Sequence, residues 1–370
     1  MKKSVKIRFI IALIALVAAG GVTLAANLSI DFANFYSFKV YPIIQTVFSF
    51  ISGLFPFSIA EFTLIALALA LVGFIIFSLV RLGKIIIKRE KIKRISISST
   101  LSTFALIVSL IAFVFVFNCG INYYRSPFSD YSGLKIEKYT KEQVREVLEY
   151  TIVQVNTLIS EIELDENGLC VLPENHLEEE SSAMRKLAEK YPEIGAYYPH
   201  AKPVQILSPL WCYTKIVGMF VPFTMEANYN TCDTSESIGH NICHELSHLS
   251  GFMREDEANF ISYLACIESD SAYLKYSGYF AAANYLLNAY YPEVEYEKYV
   301  RVISTLDSRA YNHIVNSSKF WSQYDTPVAK VSSAINDTYL KANNQSDGTK
   351  SYGRMVDLVI ADYFQNVKEK

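Results

Sequence analysis

Apolar and polar positions divide this chain into two textures. In the first third, three runs carry no charge at all: Phe9–Ile30, Phe62–Val80 and Ile95–Tyr124. A bilayer-crossing helix needs roughly 20 apolar residues, so spans are predicted at about 9–30, 60–80 and 100–118. Ala25-Ala26 could end a cleaved leader, but the first run is longer than a signal core and two further spans follow, which favours a retained helix. Between Asp31 and Pro56 the pattern is aromatic and amphipathic, with Phe35, Tyr36, Tyr41, Phe48 and Phe50, as suits a segment at a membrane interface. Ser58-x-x-Glu61 reads as a capping box opening the second span.

After about residue 125 the period changes. Val144, Val147, Leu148, Thr151, Ile152, Val155 and Leu158 recur at helical spacing. Residues 161–180 read as an acidic loop, and Ser182–Lys190 as a helix ending before Pro192. Val204–Leu207 and Ile216–Thr224 are strand-like, and Pro222 inside the second run marks an edge strand, one that an extended peptide could join. Further helices are predicted over Phe260–Leu274, Tyr279–Ala289, Tyr296–Asp307, His313–Gln323, Pro327–Ala342 and Tyr352–Val367. The fold class is therefore α+β: a membrane anchor over 1–124, and a mainly helical domain with a small sheet over 125–370.

Composition supports this division. A chain that is 51% hydrophobic, with positive mean hydropathy, is too apolar for an ordinary soluble protein. The net charge of −3 and the lack of a broad basic face give no reason to expect nucleic acid as a partner. Charge placement says more than the total. Lys2, Lys3, Lys6 and Arg8 precede the first span, and the loop 81–94 carries Arg81, Lys84, Lys88, Arg89, Lys91, Lys93 and Arg94. By the positive-inside rule both are cytoplasmic, which puts the domain on the outer side. The uncharged runs within the spans hold no acidic, histidine or paired polar residues, so transport has little support.

The chemistry-bearing stretch is Cys243-His244-Glu245-Leu246-Ser247-His248. On a helix, His244 and His248 share a face one turn apart and can reach one zinc ion, with Glu245 placed as general base. Asp233, Thr234 and Ser235 can cap this helix and Gly251 can end it. A hydrolytic zinc site takes three protein ligands. His240 is roughly 12 Å from His248 along the helix axis, too far to share the ion, and reads as a surface or cleft residue. Glu255 and Glu257 both follow the turn. Glu255 is the first choice because Asn259, one turn on, could orient a ligand histidine; Glu257 is the alternative. Glu226 and Asn228 are candidate substrate contacts. Tyr352, Arg354, Tyr311 and His313 are candidate donors to an oxyanion. Cys243 reads as a small buried residue, and Cys212 with Cys232 as a possible bridge.

His-Glu-x-x-His followed by Glu255-Asp256-Glu257-Ala258-Asn259 resembles the gluzincin zinc peptidases, whose membrane-associated members carry Glu-x-x-Ala-Asp; here asparagine stands last. The chain is more similar still to an uncharacterised bacterial family of anchored proteins, through its three spans, Pro222-Phe223-Thr224-x-Glu226-Ala227-Asn228, the motif itself and Glu255-x-Glu257-Ala258-Asn259-Phe260. That resemblance implies a zincin-like peptidase fold with no assigned substrate. The expectation is a zinc metallopeptidase of the bacterial cytoplasmic membrane acting on a peptide or protein. The rivals are a zinc-binding sensor domain signalling through its spans, and a binding module merely braced by the metal.

Overall fold

The computed structural model describes residues 2–88, 97–345, 348 and 354–368. Three helices are long and apolar enough to cross a membrane: α1 (Lys3–Leu28), α4 (Ile59–Lys88, apolar to Lys84) and α5 (Ile97–Asn118). Arg89, Lys91, Lys93 and Arg94 of the basic loop lie outside the described residues. α1 and α5 pack along their lengths and run parallel. Arg8, near the start of α1, donates to Thr103 Oγ1 (2.8 Å) near the start of α5, and Tyr36, just past the end of α1, donates to Phe117 O. Small residues form the seam: Ala12, Ala15, Ala19 and Ala26 on α1, and Ser102 and Ser109 on α5, are buried, which lets the backbones approach closely.

Between the first two spans, α2 (Ile30–Phe35), a wide helical turn and α3 (Tyr41–Gly53) pack onto the domain. α3 reverses the usual polarity. Tyr41, Gln45, Ser49 and Ser52 are buried against the domain, while Ile43, Val47, Phe50, Ile51 and Leu54 face outward. Tyr41 Oη donates to Leu249 O (3.0 Å), Gln45 pairs with both the N–H and C=O of Tyr197, and Ser49 Oγ donates to Met225 O (3.1 Å).

The domain is α+β and mainly helical. α6 (Phe128–Ser132), α7 (Lys141–Leu158), α8 (His176–Lys190), α9 (Ser208–Thr214), α10 (Ser235–Leu249), α11 (Glu255–Glu268), α12 (Ala272–Tyr290), α13 (Tyr296–Ile303), α14 (Ser308–Ser322), α15 (Pro327–Ala342) and α16 (Met355–Asp362) accompany one sheet. α8 begins before its predicted start, because the acidic residues that read as loop are its exposed side and His176, Glu180 and Ser181 its buried side. α11 and α12 part at Ser269–Ser271, where Ser271 caps α12 through Leu274 N. The sheet order is β1 (Lys202–Val204), β3 (Glu226–Asn230), β2 (Gly218–Val221), with β1 parallel and β2 antiparallel to the centre. β2 stops before Pro222, which sits in the turn to β3 and accepts Asn118 Nδ2 (2.7 Å) from the end of α5.

The sheet also grips α4. Glu226 is 1% exposed, and its two carboxylate oxygens accept Ile59 N (3.0 Å) and Ala60 N (2.8 Å), the orphan amides of the first turn of α4. In return Glu61 accepts Gln205 N, Ile206 N and Leu207 N. The predicted capping box is therefore half made: Ser58 Oγ accepts Glu61 N (2.9 Å), while the Glu61 side chain is used elsewhere. Glu226→Ala leaves two amides without acceptors and should cost about 2 kcal/mol. Thermal unfolding of the detergent-solubilised chain should show the loss, with Glu226→Gln recovering part of it.

Candidate metal centre

α10 lies at the middle of the domain, packed by α8, α11, α12 and β3. Its start follows Asp233, Thr234 and Ser235 as predicted from residue type, but the Thr234 side chain does not cap it; Asp233 instead accepts Thr234 N, Asn241 Nδ2 and Trp321 Nε1. At the other end Gly251 takes φ +92°, and a Cβ there would lie 3.1 Å from the Tyr41 ring and 3.2 Å from Arg125. Glycine is needed for both reasons. The chain turns here and returns as α11 against α10.

This return brings three donor atoms together. Glu255 Oε2 lies 3.2 Å from His244 Nε2 and 3.5 Å from His248 Nε2, and the ligand-type atoms of the three residues fall within 4.8 Å of one another. Each ring is held by its other nitrogen. His244 Nδ1 donates to Asn259 Oδ1 (2.7 Å) and His248 Nδ1 to Phe252 O (2.7 Å), which turns both Nε2 atoms toward the glutamate. Glu255 Oε2 is buried and, among the described residues, meets only these two imidazoles, an arrangement costly for a carboxylate unless positive charge, on a histidine or a bound cation, sits against it. Two imidazoles, each giving up its Nε2 proton to ligate, and one carboxylate form a ligand set of the kind zinc accepts.

Burial opposes the charge on Glu255, but His248 and His244 outweigh it and hold the carboxyl well below the usual range. Burial likewise disfavours the charged form of His248, yet Glu255 lifts it to about 9. Glu245 is 5% exposed. Burial raises its pKa, while His244, His248 and the nearby backbone of Phe220 on β2 oppose that rise. A Cβ on Gly218 would fall 2.6 Å from Glu245 Oε1, so the base fits under β2 only because that residue is glycine.

The remaining candidates separate from the trio. Glu257 points the other way, accepting Arg254 Nη1 (2.7 Å) and Phe128 N (3.2 Å). Glu226 is occupied by α4, as described, and is not open to substrate. Asn228, in the central strand, is fully buried and donates to Met219 O and Glu226 O, so it too is closed to substrate. His240 is buried, not at the surface; its backbone N–H and C=O are held by Ser277 and Ser262. His313 is enclosed between Tyr276 Oη (2.6 Å) and Gly168 O (2.9 Å), Tyr311 is exposed on α14, and Arg354 pairs with Asp256 (3.1 Å). Tyr352 lies outside the described residues. All six cysteines are free thiols, Cys212 and Cys232 among them, and Cys243 is buried. Two residues at the site have no counterpart in the sequence reading. Gly218 carries a signal, a glycine within a strand-like run; Gln345, whose Oε1 accepts Glu255 N (3.3 Å), carries none.

A family model described as a protein of unknown function, DUF3810, matches residues 36–360. The chain belongs to the DUF3810 family. The match takes in the last two spans and the whole trio, and the family's description names neither a peptidase fold nor a metal. No curated protein and no solved structure matches the chain. Within this DUF3810 chain, Asn259→Ala removes the acceptor that fixes His244, and should weaken metal affinity about 10- to 100-fold without unfolding the protein, as measured by competition with a chelating dye.

Proposed function

We propose that this protein is a membrane-anchored zinc metallopeptidase of the bacterial cytoplasmic membrane, with its N-terminus inside and its domain outside. The observation that carries the reading is the convergence of His244 Nε2, His248 Nε2 and Glu255 Oε2 beside the buried carboxylate of Glu245. His244, His248 and Glu255 would hold a zinc ion, which would supply Lewis-acid polarisation of a carbonyl and a lowered pKa for water. Glu245 accepts a proton from the attacking water and returns it to the leaving amine. β2 pairs with β3 on one side, and its other edge offers N–H and C=O groups to an extended peptide, aligning the scissile bond by strand addition. Orientation follows from the basic residues ahead of α1 and after α4. An intact base beside the trio favours hydrolysis over a sensor or a braced module, neither of which needs a carboxylate there.

Chelation tests the reading. Full-length protein in nanodiscs should contain one zinc per chain and cleave members of a peptide library; a chelator should abolish cleavage, and added zinc should restore it. Cleavage that persists in metal-free protein would overturn the proposal.

A further inference from the structure

We propose, resting on the peptidase reading above, that the substrate is itself a membrane-spanning polypeptide, delivered to the site between the domain-side ends of α4 and α5. Both ends are fastened to the same hairpin. Glu226 holds the first turn of α4, and Asn118 at the end of α5 holds Pro222. The strand leading into that hairpin, β2, is the one lying over Glu245. The site therefore stands above the space between these two helices.

At membrane depth α4 packs none of its side chains against the seam of α1 and α5. α1 and α5 pack together, whereas no residue in the apolar window of α4 is buried. Helices of a closed bundle bury small-residue seams against each other; α4 makes no such seam among the described residues.

Apolar strips rise from both helices toward the domain. Glu61 of α4 holds Ile206, which is 58% exposed, and Leu210 on α9 is 61% exposed. On the other side, Val328, Val331 and Ile335 form an outward stripe of α15 at helical spacing, 53%, 60% and 64% exposed. The stripe continues to Tyr339, whose ring meets Phe115 of α5 and whose hydroxyl meets that of Tyr123 (3.1 Å). The far ends of the strips join through Ser332 Oγ to Thr214 O (3.0 Å) and Lys215 to Asp325 (2.7 Å). Between the two helix ends the hairpin exposes Phe223, and β2 exposes Met219. A mouth for soluble peptides has no use for apolar residues exposed along both flanks, whereas an apolar span can rest against them while the extended chain beside it reaches β2.

The test compares cells expressing the full chain with cells expressing Glu245→Gln, by mapping new N-termini on membrane and exported proteins. Cuts that depend on Glu245 should fall within roughly 15 residues of a transmembrane segment, about 50 Å of extended chain. The double variant Ile206→Asp/Ile335→Asp, which keeps the trio, should reduce those cuts at least about tenfold, because carboxylates repel an apolar span, while zinc stays at one per chain. Glu245-dependent cuts spread through soluble exported proteins, or cuts unaffected by the double variant, would overturn the proposal and leave the peptidase reading standing. No Glu245-dependent cut anywhere would overturn both.

Discussion

Replacing Glu245 by glutamine should lower peptide hydrolysis roughly 100- to 10,000-fold, the range that a positioned general base contributes, while one zinc per chain is retained. Activity falls because an amide of the same shape cannot accept a proton from water. Zinc stays because Glu245 lies outside the converging trio, its carboxylate turned toward the backbone of Phe220 and packed under Gly218. kcat/KM on a library-derived peptide, paired with elemental analysis of the same sample, measures both halves. A Glu245→Gln protein that cleaves within threefold of wild type, after contaminating proteases are excluded with His244→Ala, would sink the mechanism. Gly218→Val reaches the same group from the opposite side. Its new Cβ must displace a carboxylate 2.6 Å away, and a shift of this size should cost on the order of 100-fold in rate, again with zinc in place.

Gly218 also shows how far the sequence could be read. A glycine in a strand-like run announces close approach of something, but the residue that approaches, Glu245, sits on another element, and only the packing of α10 under the sheet names it. The motif itself is local. Four-residue spacing is enough to set two imidazoles on one helical face, and the turn at Gly251 is enough to fold the next helix back. Asn259 is legible for the same reason, one turn from Glu255 on the same face.

Local pattern alone misplaces charged and polar residues. Glu226 and Asn228 look like the polar end of an exposed strand, yet β3 is the central strand and all five of its residues are buried. The partner of Glu226 is a helix start 167 residues earlier in the chain, and nothing in its neighbourhood signals that. α3 is a subtler case. Its amphipathic pattern is plain, but periodicity cannot say which face goes inward; Gln45 and Ser49 choose the polar face by finishing the hydrogen bonds of Tyr197 and Met225, and the apolar face is left outside.

Glu255→Gln and Glu257→Gln should separate cleanly, although the two residues are neighbours in sequence and equally buried in kind. Zinc sites bind with roughly 10–16 kcal/mol, so losing one of three protein ligands should cost roughly 3–5 kcal/mol, a 100- to 10,000-fold loss of affinity. Glu255→Gln should therefore be purified largely free of zinc and inactive, since its Oε2 is the oxygen that faces both imidazoles. Glu257→Gln should keep stoichiometric zinc and most activity. Its amide oxygen can still accept Phe128 N, and the loss falls on the pair with Arg254, lowering stability by roughly 1–3 kcal/mol. Zinc titration and thermal unfolding of the two variants give opposite patterns, affinity lost in one and melting temperature in the other. If Glu257→Gln loses the metal and Glu255→Gln holds it, then the fold around α11 carries its ligand in the other register and the converging trio is not the site.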